Sequence, residues 1–238
     1  MDSVLIYKLI GLTLLAGLAM PVGAIIAKLA QYALSWKVSE IKHGVIAFGG
    51  GALLSAVALI LVPQGIENQS MVSASVYFLA GSIAFMLFDI ALFKLNSTAS
   101  QLVAMLADFI PEALALGAAV ALGSSSAFLL ALLMTLQNLP EGFNAYYELK
   151  ESSKLSSKRI ITTFFVMSLI GPLAGVIGFW YLADAPQAIS SIMLFAGGGI
   201  LYSVFQDIAP QAKLEKHWLP AMGAILGFLL GMLGHMAS

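Results

Sequence analysis

The chain has 238 residues, of which 60% are hydrophobic and only 10% charged, and its mean hydropathy is +0.96. These values exclude an ordinary soluble domain and indicate a membrane protein. The sequence contains no cysteine, which excludes disulfides and thiolate metal sites. Its net charge of -1 does not favour any one class of binding partner over another. Short segments of alternating polarity, which are typical of membrane barrels, are not found. We therefore predict an all-α polytopic membrane protein.

Apolar segments separated by short polar breaks predict eight transmembrane helices in a single domain, residues 1–238. Each segment has about the 20 apolar residues that a helix needs to cross the hydrocarbon. The first is predicted to be a membrane helix and not a cleaved signal, because residues 1–10 lack a basic n-region. In chain order the predicted spans are 4–27, 44–63, 71–93, 101–122, 126–149, 160–182, 187–208 and 217–236.

The distribution of basic residues predicts the topology. Ten of the eleven lysines and arginines lie in breaks that fall on one side of the membrane, and Lys8 is the exception. The breaks on the other side, IENQS, GSSS and LADAPQ, contain none. The positive-inside rule then predicts a multi-pass protein of the cell (inner) membrane with both termini outside.

Internal similarity predicts inverted repeats. The segments from Phe48 to Gln64 and from Phe195 to Gln211 are identical at seven of seventeen positions, although the predicted spans run in opposite directions. MPVGAII in span 1 resembles GPLAGVI in span 6, and DFIPEA in span 4 resembles QNLPEG in span 5. Spans 1–3 would thus be related to spans 6–8, and span 4 to span 5, as in secondary transporters with a midplane substrate site.

Polar residues lie in the middle of spans 4 and 5. Asp108 and Glu112 are four residues apart, as are Gln137 and Glu141, so each pair shares one helix face. Three carboxyl groups facing lipid would cost on the order of 8 to 10 kcal/mol. These groups must therefore face one another, water or a cation.

Prolines precede both glutamates of this group. Pro111 and Pro140 have no N–H group, so the carbonyls of Ala107 and Leu136 lose their helical donors. Carbonyls freed beside carboxylates form an oxygen-rich site. Because the GSSS connection is short, spans 4 and 5 are expected to be antiparallel neighbours with their prolines at similar depth. The pattern predicts a metal-coordinating site.

Further polar residues suggest a route toward the cytoplasm. Asn144 and Glu148 continue the polar face of span 5, and either line a water-filled route or pack between helices with internal hydrogen bonds. Gln206 and Asp207, near the inner end of span 7, either line the same exit or form an interfacial cap. Asp89 in span 3 is an ionisable residue within the membrane. It either has a functional role or pairs with a residue of a neighbouring helix.

The motifs QNLPEG, PEALALG, FGGGALLSAV and GPLAGVIG together resemble the small bacterial branch of the ZIP family of divalent-metal transporters. The resemblance covers nearly the whole chain. It implies transport of zinc, iron, manganese or cadmium into the cytoplasm through a site between spans 4 and 5, by an elevator-like movement. The metal-site positions that it implies are Asp108, Phe109, Glu112, Gln137, Asn138, Glu141 and Gly171.

Three of these positions depart from the family pattern. The span 4 motif usually begins His-Asn, whereas this chain has Asp108 and Phe109, and Gly171 replaces the glutamate that commonly precedes Pro172. The histidine-rich cytoplasmic loop of the family is absent from the short segment KLNSTAS. One site with oxygen donors is therefore expected in place of two. Such a site suits manganese, ferrous iron or magnesium better than an imidazole-containing site would, and does not exclude zinc.

The sequence thus predicts a divalent cation transporter with no resident cofactor, whose partners are the transported ion and the lipid bilayer. An enzyme is not expected, because the predicted midplane has no second aspartate in a protease motif and no histidine. No nucleic acid is expected as a partner, and a homodimer stays open. The alternative function is that of a ZIP-like membrane protein that has lost part of the binuclear site and senses metal or does not transport it.

Overall fold

The computed structural model describes residues 2–30, 35–95, 99–123, 126–182, 184–215 and 217–237. Throughout these residues every regular element is a helix, which confirms the all-α fold class. A helix satisfies its backbone N–H and C=O groups internally, and a hydrocarbon environment requires this because it contains no water to bond them.

Eight helices follow one another in the described chain, and we number them α1 to α8. The sixth is broken at Leu169 into two halves. The bounds are Asp2–Ala30 (α1), Ser35–Ala56 (α2), Met71–Leu95 (α3), Ala99–Ala121 (α4), Ser126–Ser152 (α5), Ser157–Ser168 and Ile170–Tyr181 (the two halves of α6), Pro186–Ser203 (α7) and Leu219–Met236 (α8).

Helices α2 and α7 each continue through a π-helical turn. In α2 the turn is Val57–Leu61, and a last α-helical segment, Val62–Ile66, follows it. In α7 the turn is Val204–Ile208, followed by Ala209–Ala212. In both, the residue after the turn donates its N–H to the carbonyl five positions back. Such turns are rare and frequently accompany functional sites.

Within the described residues, six helical stretches are long and apolar enough to cross a membrane, and they coincide with predicted spans 1, 2, 3, 6, 7 and 8. The chain is therefore a membrane-embedded protein. The predicted spans 4 and 5 are helices of 23 and 27 residues, α4 and α5, and their crossing stays a prediction. The six stretches are Ser3–Ala30, Glu40–Ile66, Met71–Ala91, Ser157–Tyr181, Pro186–Ala212 and Leu219–Met236.

The helices pack in pairs around α4 and α5. Helix α1 packs along α5, the second half of α6 along α4, α2 along α8, and α3 along α7. Small residues permit the last two contacts: a Cβ atom at Gly51 would overlap the backbone of Ala224, and one at Gly198 would overlap that of Phe78. Helix α2 also contacts α5, and α7 contacts α4. Helices α2 and α7 therefore face the two helices that carry the predicted site.

Candidate metal site

Four polar side chains meet where α4 and α5 are in contact, and we call them the carboxylate site: Asp108, Glu112, Gln137 and Glu141. Glu112 and Gln137 are 1% and 2% exposed. Gln137 Nε2 donates a hydrogen bond to Glu112 Oε1 at 2.5 Å, which joins the two helices. Asp108 and Glu141, one turn from these two residues, are partly buried and line a cavity. The predicted i,i+4 pairs therefore do face each other across α4 and α5.

Three oxygen atoms of the carboxylate site are buried without a hydrogen-bond partner in the described protein. They are Asp108 Oδ1, Glu112 Oε2 and Gln137 Oε1. Leaving a buried acceptor unpaired costs about 1 to 3 kcal/mol, and proteins rarely accept this cost without a role for the group. Atoms of this kind, all acceptors and drawn from two helices, are the hard oxygen ligands that a divalent cation binds.

A cavity of about 250 Å³ adjoins the carboxylate site and is lined on one side by Asp108, Gln137 and Glu141. The opposite wall comes from α2, α3 and α7 and includes two further carboxylates, Asp89 and Asp207. Among the described residues that line this acidic cavity, none is basic. Four carboxylates facing one space attract cations and repel anions.

Hydrogen bonds fix several side chains at the wall of the acidic cavity. Tyr202 donates its hydroxyl hydrogen to Asp89 Oδ2 at 3.1 Å, so Asp89 pairs within the α3 and α7 contact while also lining the cavity. Asn144 Nδ2 donates to Glu148 Oε1 at 3.0 Å and to Gln211 Oε1 at 2.6 Å. Gln211 is exposed, so the polar lining extends from the buried carboxylates to the protein surface.

The remaining predicted residues lie in different surroundings. Asn138 is buried, and its Nδ2 donates to the carbonyl of Ala16 at 3.0 Å, which ties α5 to α1. Gln206 is exposed and is not among the described residues that line the acidic cavity, whereas its neighbour Asp207 is. Sequence reasoning missed Gln211, although the Pro-Gln pair that closes both repeated segments was a signal.

Phe109 and Gly171, two of the three departures from the family pattern, are in contact with each other. Phe109 is fully buried. A Cβ atom added at Gly171 would lie 2.6 Å from Phe109 Cζ and 3.1 Å from the carbonyl oxygen of Thr13. The phenyl ring therefore fills the space that a side chain at position 171 would need. Neither position therefore carries a polar side chain that could bind a cation.

Within the described residues, no three His, Cys, Asp or Glu side chains form a group that could hold a metal ion. The carboxylate site mixes carboxylates with the amide of Gln137, whose nitrogen and not its oxygen faces Glu112. The amide oxygen of Gln137 has no hydrogen-bond partner in the described protein and is available to bind a cation.

Comparison with models of known protein families gives no match to the chain. A search of curated proteins likewise gives no significant match.

Proposed function

We propose that the chain transports a divalent metal cation of the zinc, iron or manganese class across the cell membrane into the cytoplasm. The observation that carries this proposal is the acidic cavity, which connects buried, unpaired oxygens of the carboxylate site with exposed Gln211. Intramembrane carboxylates that face a polar cavity are typical of ion pathways. The resemblance to the ZIP family supports the same function independently of the geometry.

The side on which the cavity opens supports the direction. Gln211 lies two residues before Lys213, and Glu148 two residues before Lys150, in the lysine-containing breaks that the positive-inside rule assigns to the cytoplasm. The cavity then gives access from the carboxylate site to the cytoplasmic side, with both termini outside. Asn144, Glu148, Asp207 and Asp89 would form the exit route.

The arrangement of helices supports the inverted repeat. Aligning Phe48 with Phe195 brings the π-helical turn Val57–Leu61 into register with Val204–Ile208 without a gap. The repeat relates α1, α2 and α3 to α6, α7 and α8, in that order, and α4 to α5. Under this relation the contact between α2 and α8 corresponds to the contact between α7 and α3. The contact between α1 and α5 likewise corresponds to the contact between α6 and α4. Eight membrane-crossing helices related in this way would hold the substrate at midplane.

An elevator-type movement is consistent with these pairs. Helices α1, α4, α5 and α6 would form one body, and α2, α3, α7 and α8 the other, with the acidic cavity between them. The hydrogen bond from Asn144 to Gln211 crosses this boundary and would have to break when the bodies move. The cation would be held by Asp108, Glu112 and Glu141, which would have to move closer together than in this structure, and by the unpaired Oε1 of Gln137.

Flux measurements test the proposal. The purified chain is reconstituted in vesicles, and entry of manganese or zinc is followed with a fluorescent indicator. Glu112→Ala and Glu141→Ala should each abolish entry, whereas Glu151→Ala, at the exposed end of α5, should leave it unchanged. Unchanged entry in both site variants would show that the site is wrongly assigned.

The alternative function, a metal sensor without transport, predicts a different outcome. The wild-type protein would then bind the cation through Asp108, Glu112 and Glu141 but would carry no flux in vesicles. Binding measured by calorimetry beside flux therefore separates the two functions.

A further inference from the structure

A second cavity, of about 300 Å³, lies between α2, α7 and α8, and we call it the α2–α7–α8 pocket. Its lining is apolar except at one end, where Lys213 and His217 lie. Gly50, Gly51 and Leu54 of α2 form one wall, and other small side chains from α7 and α8 complete it. The carboxylate site has no residue in this pocket.

The polar end of the pocket lies at the membrane surface. Lys213 follows directly after one membrane-length stretch, which ends at Ala212, and the next begins at Leu219. Trp218, beside this boundary, is 83% exposed, as is usual for tryptophan at the level of the lipid headgroups. The positive-inside rule assigns this boundary to the cytoplasmic leaflet.

The apolar part of the pocket extends inward from that surface. Along α2 the lining runs from Ala47 to Leu54, which corresponds to about 10 Å at 1.5 Å per residue. Half of the hydrocarbon core is roughly 15 Å thick. The pocket thus has a positively charged side chain at headgroup level and an apolar groove beneath it. These two parts match the headgroup and the acyl chain of a phospholipid.

The charges at the mouth favour an anionic headgroup. His217 Nδ1 lies 3.3 Å from Glu40 Oε1, so the imidazole is held by α2. Lys213 is exposed and lines the same pocket. Basic pockets between membrane helices on the cytoplasmic side bind lipid phosphates. We propose that the α2–α7–α8 pocket binds an anionic phospholipid of the inner leaflet, with its phosphate on Lys213 and an acyl chain against Gly51 and Leu54.

A lipid in this pocket would touch the wall of the acidic cavity. Gly50 and Ile208 line both spaces, and a Cβ atom at Gly50 would lie 2.9 Å from Ile208 Cγ2. Val204 and Ile208 of the π-helical turn face the pocket, and Asp207 of the same turn faces the acidic cavity. The acyl chain would therefore support the turn that carries Asp207.

Native mass spectrometry of the full chain tests the proposal without any metal present. The detergent-purified protein is incubated with equal amounts of phosphatidylglycerol and phosphatidylcholine, and the retained lipids are counted. We expect preferential retention of phosphatidylglycerol and about a fivefold loss of it in Lys213→Gln, the factor that one lysine near an anionic surface supplies. Lys154→Gln, a change at another exposed lysine, should have no effect.

A second pair of variants tests the apolar part. Ala221→Leu narrows the pocket at an exposed position and should reduce retention of phosphatidylglycerol, while Ala80→Leu, exposed on α3 and outside the pocket, should not. Equal retention of the two lipids by the wild type, or unchanged retention in Lys213→Gln, would overturn the proposal. A change of oligomeric state in Ala221→Leu with unchanged lipid retention would overturn it in favour of a contact between chains.

Discussion

Glu112→Gln tests the carboxylate site at its most buried carboxyl group. The substitution removes the carboxylate and keeps the shape of the side chain, and the new amide can still bond to Gln137. Because Glu112 is 1% and Gln137 2% exposed, water cannot take over the lost ligand. We expect weaker cation binding in a protein that still folds without the cation.

The expected loss of cation affinity follows from the burial of Glu112, and the change in Tm follows from the stabilisation that a bound cation gives to the folded protein. Removing one partner of a buried, hydrogen-bonded charge pair costs about 2 to 5 kcal/mol, and the lower value corresponds to roughly a 30-fold weaker Kd. A cation at 100 times its wild-type Kd stabilises the folded protein by about 2.7 kcal/mol, and a 30-fold weaker site at the same concentration gives about 0.9 kcal/mol. The difference of about 1.8 kcal/mol corresponds to about 4 to 7 °C in Tm for a chain of this size.

The assay is thermal unfolding of the purified protein with and without manganese, followed by the fluorescence of its three tryptophans. Glu151→Gln is the matched control, because this glutamate is exposed at the end of α5 and should keep the full shift in Tm. An equal manganese-induced shift in wild type and Glu112→Gln would refute the assignment of Glu112 as a ligand.

Three further predictions concern selectivity, topology and packing. Asp108→His should shift the preference toward zinc over manganese, as imidazole nitrogen suits zinc, and competition binding that is indifferent to residue 108 would contradict this. A cysteine at Ser125, which lies outside the described residues, should react with an impermeant reagent from outside, while one at Ser156 should not; the opposite labelling would reverse the topology. Gly171→Ala should weaken manganese binding several-fold, since its methyl group would lie 2.6 Å from Phe109 Cζ and would force the ring of this residue, the neighbour of Asp108, to move. Adding Phe109→Leu should restore binding, and calorimetry that finds no restoration would show that the ring is not the cause.

The positions of the helices could be predicted because apolar length and polar breaks are local properties of the sequence. The interruptions were harder to predict. The π-helical turn Val57–Leu61 has the apolar composition of the helix around it, and Val204–Ile208 includes Gln206 and Asp207 but no residue that breaks a helix, so the place of each turn depends on packing against other helices. The break at Leu169 did carry a signal, since Pro172 cannot donate an N–H to the carbonyl of Ser168, four residues back.

The near wall of the acidic cavity could also be predicted, whereas on the far wall only Asp207 was a candidate from the sequence for lining the exit. Glu112 and Gln137 are brought together by helical spacing and a short connection, both visible in the sequence. Asp89 and Gln211 reach the cavity only through the rotation of α3 and α7, which contacts between helices determine. Asn138 is about 100° around the helix from Gln137, and only the structure shows that this direction leads to α1.

The π-helical turns also determine how these helices tolerate a change in length. A turn with hydrogen bonds five residues apart contains one residue more than the α-helical turn that could replace it. Deleting one residue within Val204–Ile208 would therefore let α7 continue as a regular helix, and the residues beyond the turn would keep nearly their direction relative to Gly198. Gln211 would stay at the cavity while Gly198 kept its contact with Phe78. A deletion of one residue in the α-helical part of α7 would instead rotate the last segment by about 100°. The turn is thus the place where α7 can lose a residue without changing the direction of its last segment.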